Sequence, residues 1–480
     1  MSALLTDLYQ LTMAEAYWRS GKARAEACFY LSFRELPFAG GYAIACGMQH
    51  VAHYIEDFRF TEADLAYLRG LPAADGTPLF SRDFLATLSQ LRLSVDIDAV
   101  CEGTAVFPNE PLLRVIGPVS ECQLVETALL NAVNYETLIA TKAARIVGVA
   151  ASPVAEFGLR RAQGPAGGVY ASRAAIVGGC ASTSNVEAGR LFDLPVSGTH
   201  AHSWVMAFSG ELEAFRAYAA AFPHNCTLLV DTYDVLQGVK NAITVAQEMA
   251  ERGQRLAAIR IDSGDLAWLS RRARALLDEA GLFGVKIIAS NDLDEYTINS
   301  LLNEQDAAID GWGVGTRLAC AYDQPSLGGV YKMSALRDAD SGSAWQPRLK
   351  ISAQLRKSTL PGILQVRRYF NSNNIMVGDM IYDETDADAD HRIIDPFDEL
   401  RQKDLRDNRY QLLLQPLVRD GRPVADLPSA IDAQANTRAN LAALDASNKR
   451  LLNPHSYPVG LSQPLHDTRD RLIRGLRGLE

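Results

Sequence analysis

The chain has 480 residues, enough for two or three domains with a large core. Its 57 acidic and 47 basic residues give a formal net charge of −10, which argues against a nucleic-acid partner but allows a local pocket for a small anion. No run approaches the ~18 apolar residues of a membrane span, the N-terminus lacks the basic region of a signal peptide, and the seven cysteines include no Cys-x-x-Cys pair. We therefore expect a cytoplasmic protein that binds neither nucleic acid nor membrane.

The first part of the chain mixes helical and strand patterns. Residues 1–20 predict a helix with Thr6 as its N-cap and Gly21 as its stop. Its apolar side chains spread over more than one face, which predicts burial on two sides, in part by a second subunit. Further elements are expected as strands at Cys28–Phe33, Leu93–Ala99 and Leu112–Ile116, and as a helix over Ser120–Val149.

A repeating pattern begins near residue 150. Short apolar runs end in polar or glycine-rich turns and are followed by helical patterns, roughly every 25–35 residues, which is typical of βαβ units. The pattern predicts a (β/α) barrel of about seven strands. A doubly wound sheet is the alternative, because a sequence does not show closure.

The remainder predicts an α+β segment. Residues 365–370 and 375–382 flank an asparagine-rich turn and predict a hairpin, the acidic run Asp383–Asp390 a solvated loop, and Ser429–Leu452 a helix. The fold class is therefore α/β, and we expect an N-terminal α/β domain, a barrel domain and a C-terminal α+β segment. The expected ranges are 1–130, 131–345 and 346–480.

In either α/β architecture the functional residues lie at the carboxyl ends of the strands. Arg160 and Arg161 follow an apolar run, and arginine suits bidentate capture of phosphate or carboxylate, although two surface arginines are the plain alternative. The turn Gly311–Thr316 combines three glycines with a hydroxyl and suits a phosphate. Its spacing is not that of a dinucleotide-binding motif, and a structural turn remains the alternative.

One tight turn contains two carboxylates, Asp262 and Asp265. They are suited to ribose hydroxyls or a hydrated Mg²⁺, whereas N-capping of the next helix is the structural alternative. Arg260 precedes Asp262 by two residues within an otherwise apolar strand, where an unpaired charge is costly. This position favours a functional role for the arginine.

The turn Gly198–Ser203 contains Thr199 and two histidines, His200 and His202. An imidazole can accept a phosphoryl group or transfer protons near pH 7. A zinc site would need a third ligand, which the neighbouring sequence lacks, and the chain has no Walker motif for ATP.

These segments together resemble nicotinate phosphoribosyltransferases. The resemblance runs in order from residue 4 to about residue 462 and rests on the motifs Thr6–Met13, Glu102–Pro111, Glu156–Pro165, Gly198–Ser203, Ile261–Asp265, Gly313–Thr316, Gln324–Lys332 and Asn453–Val459.

The resemblance implies an irregular (β/α) barrel of the type II phosphoribosyltransferase kind as the catalytic domain. It also implies an α/β domain built from both chain ends, in which the C-terminal segment packs with the N-terminal domain, and a homodimer with the active site at the subunit interface. It implies an enzyme of NAD biosynthesis that joins nicotinate to 5-phosphoribosyl-1-pyrophosphate (PRPP), giving nicotinate mononucleotide and pyrophosphate. ATP hydrolysis is coupled through a phosphohistidine, with Mg²⁺ as cofactor, so the enzyme is an ATP-dependent carbon–nitrogen ligase.

The resemblance also implies roles for individual residues. His202 is the phosphohistidine, Tyr9 stacks on nicotinate from the partner subunit, and Thr199 and Arg260 contact nicotinate, with Arg260 pairing its carboxylate. The PRPP phosphates are assigned to Arg160, Arg161, Gly315 and Thr316. Asp262 and Asp265 stabilise an oxocarbenium-like transition state or its Mg²⁺. No residue is assigned directly to the metal, and His200 is left without a role.

Two other functions stay open at this point. A nicotinamide phosphoribosyltransferase shares the barrel and a histidine, and equal turnover of nicotinamide and nicotinate would favour it. A catalytically silent barrel that senses a metabolite would release no pyrophosphate from PRPP and nicotinate.

Overall fold

The structure is a computed structural model that describes residues 2–339, 343–352, 358–386, 391–424 and 427–478. The chain forms two compact units, one of residues 1–138 with 326–480 and one of residues 139–325. The domain ranges expected from the sequence stay a prediction.

Helices and strands are interspersed along the whole chain. The helices are α1 Leu8–Arg19, α2 Met48–Asp57, α3 Glu62–Arg69, α4 Arg82–Gln90, α5 Val119–Leu124, α6 Glu126–Ala150, α7 Gly164–Val177, α8 Val186–Phe192, α9 His202–Met206, α10 Glu211–Ala221, α11 Val235–Ala250, α12 Leu266–Glu279, α13 Glu295–Asn303, α14 Thr316–Ala319, α15 Ala430–Ala443 and α16 Gln463–Leu476. The strands are β1 Glu26–Phe33, β2 Ala43–Ile44, β3 Asp96–Val100, β4 Ala105–Val106, β5 Leu113–Pro118, β6 Val154–Glu156, β7 Ser182–Thr183, β8 Thr227–Leu229, β9 Ala258–Ile261, β10 Lys286–Asn291, β11 Gly311–Val314, β12 Gly329–Arg337, β13 Gln346–Pro347, β14 Leu364–Phe370, β15 Met376–Asp383, β16 Arg392–Asp395, β17 Asp398–Asp404, β18 Arg409–Leu412, β19 Leu414–Arg419, β20 Arg422–Pro423 and β21 Val459–Leu461.

The unit of residues 139–325 is built on a parallel sheet. Its six strands lie in the order β7-β6-β11-β10-β9-β8, and each neighbouring pair is parallel. A parallel bridge from Thr183 to Val196 extends the sheet beyond β7, close to the expected number of about seven strands. No ladder among the described residues joins β7 to β8. The predicted α/β fold class is confirmed.

Three helices of this unit begin in the same way, directly after a strand or its turn. Asp234, Asp265 and Asp294 are the N-caps of α11, α12 and α13. Each carboxylate accepts the backbone N–H three residues later, at 2.8–2.9 Å. Such caps fix where each helix starts, so the loops between strand ends and helices are short and lie along one edge of the sheet.

The unit of residues 1–138 and 326–480 is α+β. It contains an antiparallel seven-stranded sheet, β13-β12-β1-β5-β3-β19-β20, a mixed six-stranded sheet, β17-β16-β21-β15-β14-β18, and the pair β2-β4. A large apolar core includes Phe33, Val95, Leu113 and Leu129, each fully buried. Both ends of the chain therefore contribute to one unit, as the sequence predicts for the α/β domain.

Local expectations in this unit met mixed outcomes. The hairpin is confirmed, because β14 and β15 pair in antiparallel register. The N-cap of α1 is Asp7 rather than Thr6. The late helix α15 starts after Ser429 as expected but ends at Ala443, because Leu444 is extended and the following residues form a 3₁₀ turn. Part of the acidic run, residues 387–390, lies outside the described residues.

Candidate functional site

The candidate site lies at the carboxyl edge of the parallel sheet. Arg260 is on β9, and Ile288 of β10 is its register partner, so Ser290 lies two residues further along the same face of the neighbouring strand. Asp262 follows the end of β9. The turns after β8, β9 and β11 border the same edge, since the carboxyl ends of parallel strands lie side by side.

Arg260 is the centre of a hydrogen-bond network. Its Nε donates to Ser290 Oγ at 2.7 Å, Nη1 to Thr199 Oγ1 at 2.9 Å, and Nη2 to Asp262 Oδ1 at 2.7 Å. The side chain is only 14% exposed. A guanidinium has five N–H donors, so these bonds leave one N–H on each terminal nitrogen. Such a pair of donors suits a planar carboxylate.

Asp262 is held as a carboxylate by its neighbours. Ser290 Oγ donates to the same Oδ1 at 2.5 Å. Burial alone would raise the pKa of Asp262, but the hydrogen bond from Ser290 and the charge of Arg260 outweigh it and lower the pKa below its ordinary value. Its other oxygen, Oδ2, lies 3.8 Å from His202 Nε2.

His202 is the first residue of α9, and its side chain is 42% exposed. Its Nδ1 lies 3.2 Å from Thr232 Oγ1, while Nε2 faces the Asp262 carboxylate. The imidazole therefore has an oxygen near each nitrogen and an open side. That arrangement suits a group that gains and loses a phosphoryl group or a proton.

Asp231 was not among the site residues predicted from the sequence. Its Oδ2 accepts the Asp262 backbone N–H at 3.0 Å and the Ser263 hydroxyl at 2.6 Å. Its Oδ1 is buried and has no hydrogen-bond partner among the described residues. A buried carboxylate oxygen without a donor is suited to a cation or a ligand hydroxyl. Its position directly after an apolar run was the available sequence signal.

Phe157 was also missed as a site residue. Its ring lies beneath the Arg260 guanidinium, with 5.6 Å from Cζ to the ring centroid. A Cβ at Gly313 would lie 2.6 Å from this ring, so glycine at that position lets the aromatic side chain approach the sheet. The sequence signal was an aromatic residue within the Glu156–Arg161 turn, but which side chain it faces depends on strand order.

The glycine-rich turn and the two arginines lie on neighbouring turns. The Phe157 N–H donates to Val314 O at 2.8 Å, which joins the turn after β6 to the end of β11. Gly315 caps the four-residue helix α14, which begins at Thr316. The exposed Arg160 and Arg161 lie in the 3₁₀ turn Leu159–Arg161.

Two predicted site residues have a different setting. Asp265 caps α12, because its Oδ1 accepts the Trp268 N–H at 2.9 Å. Tyr9 lies on α1 in the other compact unit, with its side chain 47% exposed. The catalytic role of Asp265 and the stacking role of Tyr9 stay predictions.

The chain matches sequence profiles of one family along most of its length. These are the nicotinate phosphoribosyltransferase (NAPRTase) N-terminal domain over residues 4–134, the NAPRTase family over residues 153–373, and the NAPRTase C-terminal domain over residues 364–469. No helix in the described ranges has the length and apolar character to cross a membrane.

Relatives and solved structures agree with these profiles. A nicotinate phosphoribosyltransferase of Bacillus subtilis is 44% identical over 98% of this chain and 96% of its own. The crystal structure of human nicotinic acid phosphoribosyltransferase superimposes with a TM-score of 0.84 at 33% identity, covering 97% of this chain and 99% of that one. A nicotinate-nucleotide pyrophosphorylase structure from Pyrococcus furiosus shares the fold, with a TM-score of 0.69, 21% identity, and coverage of 92% and 95%. Because the family profiles and a relative of 44% identity both match nearly the whole chain, this chain belongs to the nicotinate phosphoribosyltransferase family.

Proposed function

We infer that the protein is a nicotinate phosphoribosyltransferase, which joins nicotinate and PRPP to form nicotinate mononucleotide and pyrophosphate. Family membership supports the reaction class. The observation that supports nicotinate as the acceptor is the Arg260 network, in which a nearly buried guanidinium has one N–H on each terminal nitrogen with no partner in the described part of the chain. Nicotinamide has no carboxylate for that pair of donors.

We propose that nicotinate binds with its carboxylate on Arg260 and Thr199. The Phe157 ring, which lies next to the Arg260 guanidinium, offers an aromatic surface against which the pyridine ring of nicotinate would pack. Tyr9 would cover the other face of the ring from the partner subunit of a homodimer. Its exposed side chain supports an intermolecular role.

PRPP would place its phosphates on the glycine-rich turn. Gly315 and Thr316 contribute backbone N–H groups and a hydroxyl, and Arg160 and Arg161 contribute charge from the adjacent turn. As the bond from ribose C1 to pyrophosphate breaks, positive charge develops on the ring. The Asp262 carboxylate, with its lowered pKa, is ionised and stabilises that charge, with Asp265 a weaker candidate because it caps α12.

ATP would act through His202. With Nδ1–H donating to Thr232, the lone pair of Nε2 attacks the γ-phosphorus, the bond to ADP breaks, and a phosphohistidine forms. Water later cleaves the N–P bond and returns the free imidazole with inorganic phosphate. The nearby Asp262 stabilises the positive charge that the imidazole carries during both steps.

The residues present fit a hydrated Mg²⁺. Asp231 Oδ1 is buried without a donor among the described residues, and Asp231 Oδ2 accepts the backbone N–H of Asp262, which joins the two residues. Carboxylate oxygens are preferred ligands of Mg²⁺, so Asp231 and Asp262 would hold the ion. When bound, it neutralises charge on the pyrophosphate leaving group.

The cytoplasmic location stays a prediction.

The test measures pyrophosphate release from PRPP with nicotinate or nicotinamide, with and without ATP. We expect nicotinate to be the better acceptor and ATP to stimulate the rate. His202→Ala should remove the ATP stimulation, with His224→Ala, an exposed histidine of the same unit, as the control. Equal turnover of both acceptors would favour a nicotinamide enzyme, and no release under any condition would favour a metabolite sensor.

A further inference from the structure

His200, the other histidine of the Gly198–Ser203 turn, has a buried ring that is only 7% exposed. The ring packs edge-on against Tyr218 of α10, with 4.7 Å between centroids, and lies 6.0 Å from Phe215 of the same helix. This imidazole is therefore part of the packing between the turn and α10, in contrast to the partly exposed ring of His202.

The ring of His200 also accepts a backbone N–H at the edge of the parallel sheet. Within the described ranges, β8 is the last strand in the order of its sheet, and β9 is the one strand that pairs with it. On its other side the Leu229 N–H donates to His200 Nε2 at 3.2 Å. Because Nε2 accepts, the ring proton is on Nδ1, which faces Ala201 O at 3.4 Å. Burial and the nearby charge of Arg260 lower the pKa of His200, and they outweigh the hydrogen bond to Ala201, so the ring stays neutral and Nε2 remains an acceptor.

The hydrogen bond from Leu229 to His200 lies at the same level of the sheet as Arg260, the arginine proposed to bind nicotinate. Leu229 is the register partner of Arg260. The His200 carbonyl accepts the Thr199 hydroxyl at 2.9 Å, and Thr199 Oγ1 in turn accepts Arg260 Nη1 at 2.9 Å. A closed path of hydrogen bonds and one strand pairing therefore connects the sheet edge, the turn and the guanidinium.

We propose that His200 is a positioning residue for nicotinate: its Nε2 anchors the 199–202 turn to the open edge of β8 and thereby holds Thr199 against Arg260. The proposal rests on the proposed function, in which Thr199 and Arg260 bind the nicotinate carboxylate. The phosphate-binding turn at Gly315 follows a different strand, β11. Loss of the anchor therefore weakens nicotinate binding and leaves PRPP binding in place.

Two substitutions separate the hydrogen bond from the packing. His200→Leu keeps an apolar side chain of moderate size but removes the acceptor, whereas His200→Gln places an amide oxygen near the position of Nε2. His224→Leu is the matched control, since His224 is exposed in the loop between α10 and β8. Each variant is assayed as the full chain for the KM of nicotinate and of PRPP, and for amide hydrogen exchange in peptides that contain Leu229.

We expect His200→Leu to raise the nicotinate KM about tenfold, because an unpaired buried N–H disfavours the anchored turn. The PRPP KM should stay within about twofold, and exchange at Leu229 should accelerate. His200→Gln should restore both quantities most of the way. The proposal would be overturned if the nicotinate KM did not change with His200→Leu, or if the KM values of nicotinate and PRPP rose by the same factor. It would also be overturned if His200→Gln raised the nicotinate KM as much as His200→Leu.

The design keeps two failures apart. If the wild-type chain releases no pyrophosphate, the proposed function fails, and with it the nicotinate part of this inference. The exchange measurement needs no reaction, so it still decides whether His200 anchors the turn to β8. Should His200→Leu fail to fold, His200→Asn takes its place, because its shorter amide does not reach the Leu229 N–H and the comparison with His200→Gln remains.

Discussion

Replacement of Arg260 by glutamine tests the acceptor specificity of the site. Besides the N–H groups bonded to Thr199 and Asp262, the guanidinium has two terminal N–H groups without a partner among the described residues, and the substitution removes this pair of donors. Each charge-assisted hydrogen bond contributes about 1.5–3 kcal/mol. Because the side chain is 14% exposed and water can replace part of the contact, we take the lower end, about 3 kcal/mol for the pair. That value corresponds to a loss of about 10²-fold in kcat/KM for nicotinate.

The assay compares nicotinate with nicotinamide at saturating PRPP and ATP. Nicotinamide lacks the carboxylate, so its kcat/KM should change much less, and the ratio of the two values should fall with the Arg260→Gln variant. Arg216→Gln serves as the control, because Arg216 pairs with Glu248 on the surface of the same unit and is 51% exposed. If both acceptors lose activity by the same factor, Arg260 supports the local structure instead of binding the carboxylate, and our argument for nicotinate is refuted.

Three further predictions concern the metal, the core and the pH dependence. Asp231→Asn should raise the Mg²⁺ concentration for half-maximal activity about tenfold or more, and an unchanged Mg²⁺ titration would contradict its role as a ligand. Glu295→Gln should lower the free energy of unfolding by about 3 kcal/mol in urea titrations, because Lys142 and Arg145 would remain buried beside a neutral side chain; a loss below about 1 kcal/mol would argue against this. The pKa of His200 is lower in the folded chain than in the unfolded chain, so the unfolded chain binds the proton at a higher pH. The free energy of unfolding should therefore fall as the pH drops below about 6.5. Unfolding curves at pH 5 and pH 7 check this, and His200→Gln should reduce the difference between them.

Local sequence signals located much of the site. Arg260 stands out because a charge within an apolar strand needs partners, and the structure supplies them in Ser290, Thr199 and Asp262. The glycine-rich turn at Gly315 follows the end of β11, and the Gly198–Ser203 turn follows a parallel bridge at Val196 beside β7 of the same sheet. These features depend on a few neighbouring residues, so a sequence pattern can show them.

Other residues of the site have no such local signal. Nothing in the sequence around Ser290 marks it as a site residue, because its position beside Arg260 follows from the register of β10 with β9. Phe157 is an ordinary aromatic residue until β6 lies beside β11 and its ring faces the guanidinium. The expected helix cap at Thr6 was wrong, since Asp7 holds that position.

The sequence by itself determined the α/β class and the strand-end turns, because these follow from residue spacing and local chemistry, and its motifs resemble those of the family to which the chain belongs. The tertiary structure decided which groups meet: the Leu229 N–H at the open edge of β8 donates to the ring of His200, and one buried oxygen of Asp231 is left without a partner among the described residues. Both depend on strand order and register, which bring together residues far apart in the chain.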